Sequence, residues 1–326
     1  MISSPTPDAL ALAARLLRAG ELVAFPTETV YGLGADARNE HAVRAIFAAK
    51  QRPADHPVIV HLEDAGAAAS WARSMPHGAS ALADAFWPGP LTIIVPRAAG
   101  VPDAVTGGQD TVGLRVPSHP VAQALLRAFA AEGGSGIAAP SANRFGRISP
   151  TTAQHVRDDL GEALAMIVDG GPCDVGIEST IVAFGDGDAT LLRPGGIAVE
   201  DIARVLGYVP RAPGADAPRA SGTLASHYAP RTPARLVDAG ALAQAAVTGV
   251  AVLARTIERP ARFAGPWHAA PADAAGYAHD LYASLRSLDG AGAREILIET
   301  PPDGDAWLAV HDRLTRAVHA EESDEP

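Results

Sequence analysis

From residue 8 to residue 207 the chain alternates short, strand-like apolar runs with helical stretches, but not in strict succession. That pattern limits the available folds more than any other feature. Strand signals fall at 22–25, 58–62, 91–95, 112–116, 137–139, 166–168, 180–184 and 190–192. Apolar residues at helical spacing fall at 8–18, 42–50, 79–86, 120–131, 152–160 and 199–206. Strands that follow one another without a helix between them point to an α/β domain built on a mixed sheet.

A stretch rich in Pro, Ala and Gly at 210–218 carries no periodicity and reads as a linker. Beyond it the pattern is simpler, with strands at 235–237, 250–254 and 295–299 and helices at 241–247, 274–288 and 307–319. This is a smaller, Rossmann-like α/β layer. The expected organisation is a catalytic-sized domain over 1–209, a linker over 210–232, a second α/β domain over 233–320 and an acidic tail over 321–326. There are no internal repeats.

Composition narrows the function classes. The 326 residues carry 26 basic and 37 acidic groups, a formal charge of −11, which disfavours sequence-independent nucleic-acid binding. Hydrophobic residues at 48% exclude a largely disordered chain. No apolar run approaches the ~18 residues of a membrane helix. The first residues show no basic patch leading into an apolar segment, so a cytoplasmic location is expected. The single cysteine, Cys173, allows neither an internal disulfide nor a cysteine-based zinc site. The single lysine, Lys50, is notable among arginines, because the two cations are not interchangeable.

Four segments carry chemistry. Pro-Thr-Glu-Thr-Val-Tyr-Gly-Leu at 26–33 is a hydroxyl-rich turn bounded by glycine, suited to a small polar ligand but equally to an ordinary turn. Lys50, Arg52 and Pro53 end a helix and lead into the strand that closes on His61; a lysine beside an arginine suits a polyphosphate, although a helix dipole also favours cations there. Ser141 and Asn143 follow a short apolar strand. Ser149, Pro150 and Thr151 come next, with Ser149 or Thr151 expected to cap the following helix. Gly176, Glu178, Ser179 and Thr180 enter another strand, one strand before Arg193. Arg115 stands among apolar neighbours and should either snorkel or bind an anion. No phosphate-binding loop, dinucleotide fingerprint, zinc motif or nucleophile elbow is present.

In order and spacing, these segments resemble the YrdC/Sua5 family of threonylcarbamoyl-adenylate synthases over residues 8–207. The sequence His-Tyr-Ala-Pro at 227–230 and the second α/β domain resemble the longer Sua5 form. The resemblance implies a twisted mixed-sheet domain with a concave, locally positive cleft. It implies that L-threonine, bicarbonate or CO2, and ATP are joined into threonylcarbamoyl-AMP with release of pyrophosphate and with Mg2+ assisting. A downstream transferase would then modify tRNA, which this chain would meet only indirectly. Carried over by motif, Thr27, His61, Arg115, Ser179 and Thr180 would surround threonine, with Arg115 on its carboxylate. Lys50 and Arg52 would be the catalytic pair on the ATP phosphates. Thr111, Ser141, Asn143, Ser149 and Arg193 would line the nucleotide, with Tyr228 folding over it from a lid. No protein metal ligand is implied. The rival reading, an RNA-binding module, is opposed by the acidic balance. A carbamoyl-phosphate-dependent carbamoyl transferase would need further modules.

Overall fold

A computed structural model describes residues 1–185, 188–224, 226–245 and 249–319; the acidic tail and part of the helix expected at 241–247 lie outside the described residues. The chain divides into two compact units, Met1–Phe145 with Pro150–Thr223, and Gly146–Ser149 with the chain from Leu224 on. The segment 210–223 thus belongs to the first unit and 224–232 to the second.

The first unit is built on the strands β1 (Ile2–Ser3), β2 (Val23–Phe25), β3 (Gly32–Asp36), β4 (Ile59–His61), β5 (Leu91–Pro96), β6 (Thr111–Arg115), β7 (Ile137–Ala138), β8 (Met166–Val168), β9 (Thr180–Ala183) and β10 (Thr190–Arg193). They form one sheet in the order β1-β8-β2-β3-β7-β4-β6-β5-β9-β10. Pairing is mixed: β4 runs parallel to β6 and β5 parallel to β9, whereas β5 and β6 are antiparallel. Helices α1 (Pro7–Arg18), α2 (Glu40–Lys50), α3 (His77–Phe86), α4 (Asp103–Thr106), α5 (Pro120–Ala131), α6 (Ala153–Leu160) and α7 (Val199–Leu206) accompany it.

Side-chain alternation places cores on both faces of the sheet. Val23 and Phe25 pack with Leu10, Leu17, Leu125 and Phe129 of α1 and α5. Ala24, between them, joins the opposite core with Leu33, Ile46, Val60, Ile93 and Leu114. Among the buried polar side chains, Thr27, Glu28, His61 and Arg115 gather around the carboxyl ends of β4 and β6.

The second unit holds β11 (Ala234–Val237), β12 (Val250–Ala254), β13 (Trp267–Ala269) and β14 (Glu295–Glu299), all parallel in the order β11-β14-β12-β13. Helices α8 (Ala239–Ala245), α9 (Ala274–Asp289) and α10 (Leu308–Val318) supply the crossovers and close the chain. This is the small Rossmann-like layer the sequence predicts, with β13 as an additional edge strand. No helix among the described residues is long and apolar enough to cross a membrane.

Candidate active site

Arg115 is the last residue of β6 and His61 the last of β4, and the parallel register sets them side by side. Arg115 is not a snorkelling surface residue. Its Nη2 donates to Glu28 Oε1 at 2.7 Å and to Thr29 Oγ1 at 3.0 Å, and both members of the ion pair are only 5% exposed. The other Glu28 oxygen accepts from the Ser118 backbone N–H at 3.1 Å. Arg115 Nε is buried and makes no hydrogen bond, which is costly for a donor shielded from water. His61 Nδ1 is likewise buried without a partner, and the ring stands edge-on to Phe25 with centroids 6.1 Å apart. Burial, and then the positive charge of Arg115, push the imidazole down to about 3, so His61 is neutral at physiological pH.

The turn before β3 fits against this pair. Thr27 Oγ1 donates to the Val30 carbonyl at 2.7 Å and accepts from the backbone N–H groups of Thr29 and Val30. Its one proton being committed, the 2.8 Å contact with Thr29 must be a bond donated by Thr29. A chain of hydroxyls therefore runs from Thr27 through Thr29 to Arg115.

Ser179, just ahead of β9, meets Thr92 of β5 hydroxyl to hydroxyl at 2.8 Å. Arg193, at the end of β10, donates from Nε and Nη2 to the Ser179 carbonyl (3.2 and 2.9 Å) and from Nη1 to the Ser221 carbonyl at 2.7 Å. Arg52 Nη2 reaches the Pro57 carbonyl at 3.1 Å and Ser221 Oγ at 3.5 Å. Ser221 thereby links the two arginines. The backbone around Ser179 is set by a close approach: a Cβ on Gly195 would lie 2.3 Å from the Glu178 carbonyl oxygen, so only glycine fits. Thr180 is already committed, donating to the Ile197 carbonyl and accepting from the Ile197 N–H.

Lys50 closes α2 and is buried. Its Nζ donates to the carbonyls of Ser141 (2.5 Å) and Asn143 (2.6 Å), which leaves one N–H for a ligand. Burial, reinforced by the neighbouring Arg52, lowers its pKa well below the usual lysine value. Thr111 begins β6, and the two-residue period of a strand puts it on the same face as Arg115.

The first unit thus assembles Thr27, His61, Arg115 and Ser179 around one group of strand ends, with Lys50, Ser141 and Asn143 together and Arg52 and Arg193 joined through Ser221. Two sequence candidates lie in the second unit. Ser149 is buried, and its carbonyl accepts from Arg286 at 3.3 Å. Tyr228 stacks on Tyr282 with centroids 5.5 Å apart, and Arg313 lies over its ring at 5.3 Å. The cap of α6 is neither Ser149 nor Thr151: Thr152 Oγ1 accepts from the His155 N–H. The general position of that cap is visible in the sequence, but with three hydroxyl residues around Pro150 the spacing cannot choose among them.

Glu28, Thr92 and Ser221 were not singled out by the sequence. Glu28 lies inside the 26–33 motif, and Arg115 among apolar neighbours, which should snorkel or bind an anion, is the one sequence signal that points toward it. Cys173 is buried, which raises its pKa, so it stays an unreactive thiol.

Comparison with known proteins identifies the architecture. Residues 15–195 match the Sua5/YciO/YrdC family model, described as "Telomere recombination". Residues 197–318 match the model "Threonylcarbamoyl-AMP synthase, C-terminal domain". A threonylcarbamoyl-AMP synthase of Bacillus subtilis is 41% identical, covering 95% of this chain and 92% of its own. That of Pyrococcus abyssi is 38% identical over 94% and 93%. The crystal structure of P. abyssi Sua5 complexed with L-threonine superposes with a TM-score of 0.89, at 36% identity and covering 98% of this chain and 97% of that one. The chain belongs to the Sua5/YrdC family, in its long form with the additional C-terminal domain.

Proposed function

We propose that this chain is an L-threonylcarbamoyladenylate synthase that makes threonylcarbamoyl-AMP and pyrophosphate from L-threonine, bicarbonate or CO2, and ATP. The observation that supports this reading most directly is Arg115, a buried guanidinium with an unused Nε donor beside a neutral imidazole. It suits the carboxylate of a small polar amino acid. Thr27, His61 and Ser179 would complete that subsite. Thr180, whose hydroxyl is satisfied within the backbone, would shape it without donating to the ligand.

In the reaction the threonine amine attacks CO2, forming the N–C bond of the carbamate and releasing a proton. A carbamate oxygen then attacks the α-phosphorus of ATP, and pyrophosphate leaves. Neither step needs a covalent protein intermediate, so positioning and charge stabilisation suffice. The remaining Lys50 N–H and the guanidinium of Arg52 would hold the phosphates, where charge develops on the leaving group. Ser141, Asn143, Thr111 and Arg193 would line the nucleotide. Ser149 and Tyr228 are assigned to it on the family resemblance alone. Mg2+ would be held mostly by phosphate oxygens and water and would offset their charge. The product would pass, in the cytoplasm, to a transferase that modifies tRNA, with tRNA contacted only indirectly.

The test is pyrophosphate release from ATP by the purified chain. Release should require both threonine and bicarbonate; equal release without threonine overturns the assignment.

A further inference from the structure

The pairing of Arg115 with Glu28 has a chemical consequence for what the pocket accepts. An arginine waiting for a carboxylate would ordinarily be left exposed or neutralised by solvent. Here its Nη2 is neutralised by a buried carboxylate, and the pair as a whole carries no net charge. Next to Ser179, the buried Arg193, whose Nη2 donates to Ser179 Oγ at 3.3 Å, and the buried Glu178 carry formal charges of opposite sign and leave that balance as it is. His61 and His119 are both pushed toward the neutral form by burial, Cys173 remains a thiol, and Asp174 is exposed to solvent.

A ligand carboxylate placed on the free Nε therefore creates a carboxylate–guanidinium–carboxylate arrangement with one uncompensated negative charge out of water, which is expensive. A ligand that brings its own ammonium restores neutrality. We propose that Glu28 is a positioning and specificity residue. It fixes the guanidinium of Arg115 through Nη2, leaves Nε as the donor for the substrate, and sets the charge of the pocket so that a zwitterionic amino acid is accepted and a simple hydroxy acid is refused. This rests on the reading that Arg115 receives the threonine carboxylate.

The expected discrimination is read with 3-hydroxybutanoate, which is threonine without its amino group. In the wild-type enzyme this compound should inhibit threonine-dependent pyrophosphate release at least about a hundredfold more weakly than threonine binds. Glu28→Gln keeps the shape and removes the charge. It should raise the KM for threonine about tenfold or more, leave the KM for ATP unchanged and lower kcat by less. It should also strengthen inhibition by 3-hydroxybutanoate relative to threonine. Glu28→Asp, which keeps the charge, should keep the discrimination even if its KM rises.

A merely structural role would lower kcat and both affinities together with the selectivity unmoved, and that outcome overturns the proposal. Comparable binding of 3-hydroxybutanoate and threonine to the wild type overturns it without any variant, so a Glu28→Gln chain that fails to fold does not shield it. If the wild type shows no threonine dependence at all, the underlying functional reading fails instead, and the two failures are distinguishable.

Discussion

Two buried carboxylates, Glu28 in the first unit and Glu299 in the second, are satisfied in opposite ways. Glu299, the last residue of β14, accepts from the backbone N–H groups of Arg255, Thr256 and Ile257 and from the Thr256 hydroxyl. Burial alone would push its pKa up, but these hydrogen bonds outweigh that and hold it below the usual value. The main chain has used this carboxylate to fix a loop. Glu28 is met by one backbone N–H and by the Arg115 side chain, and that side chain retains a donor. A carboxylate saturated by backbone is architecture. A carboxylate that neutralises a half-used arginine leaves the site able to respond to a ligand.

The most severe test of this contrast is at a second buried cation of the first unit. Lys50 spends two donors on carbonyls and keeps one, so on the same logic the third is the working one. Lys50→Ala should lower turnover about a hundredfold or more while leaving the far-ultraviolet circular dichroism spectrum in place. A near-normal rate would remove Lys50 from the site. It would also show that a partly used buried cation need not mark function in this fold.

Glu299→Gln tests the opposite case. An amide cannot accept from three N–H groups and a hydroxyl as a carboxylate does, and its own NH2 would face donors. The loop should loosen at a cost of about 2–3 kcal/mol in unfolding free energy. The KM for threonine should stay where it was. A denaturant titration and a threonine saturation curve on the same preparation decide it. A raised threonine KM with normal stability would reverse the roles assigned to the two carboxylates.

The sequence made some of this legible and hid the rest for physical reasons. Runs such as Leu91–Pro96 and Thr180–Ala183 are β-branched and apolar, and they announce themselves as strands. Strand β3, Gly-Leu-Gly-Ala-Asp, was hidden within the motif that contains Tyr31, because its residues have little strand propensity. It is small by necessity: a Cβ on Gly34 would lie 2.9 Å from the Phe25 ring and 2.9 Å from the Val23 carbonyl oxygen. Lys50, Arg52 and Arg193 could be named from their motifs. The Glu28–Arg115 and Thr92–Ser179 partnerships could not, since each spans 87 residues of sequence and arises only because the fold brings a turn and the three strands β6, β5 and β9 into adjacency.

The smallest expected effect concerns His61 and separates burial from binding. Its folded-state pKa of about 3 lies below the ordinary value of 6.5. As pH falls through 6.5 the unfolded chain takes up a proton that the folded chain refuses. The stability this residue contributes is thus complete above about pH 6.5 and declines steadily toward pH 3. At pH 5 the loss attributable to His61 is about 2 kcal/mol. His61→Asn removes the titration and should flatten the fall in unfolding free energy between pH 7 and pH 5 by that amount. His119, whose pKa is also lowered by burial, remains in both proteins and cancels from the difference. Denaturant midpoints at pH 7, 6 and 5 give the comparison directly. Parallel curves would mean that His61 titrates in the fold as it does in the unfolded chain, and below about pH 6.5 a cationic imidazole beside Arg115 would make the pocket positive before any ligand arrived. The charge balance attributed to Glu28 would then need a second carboxylate, so this modest stability measurement bears on the specificity of the site as well as on its burial.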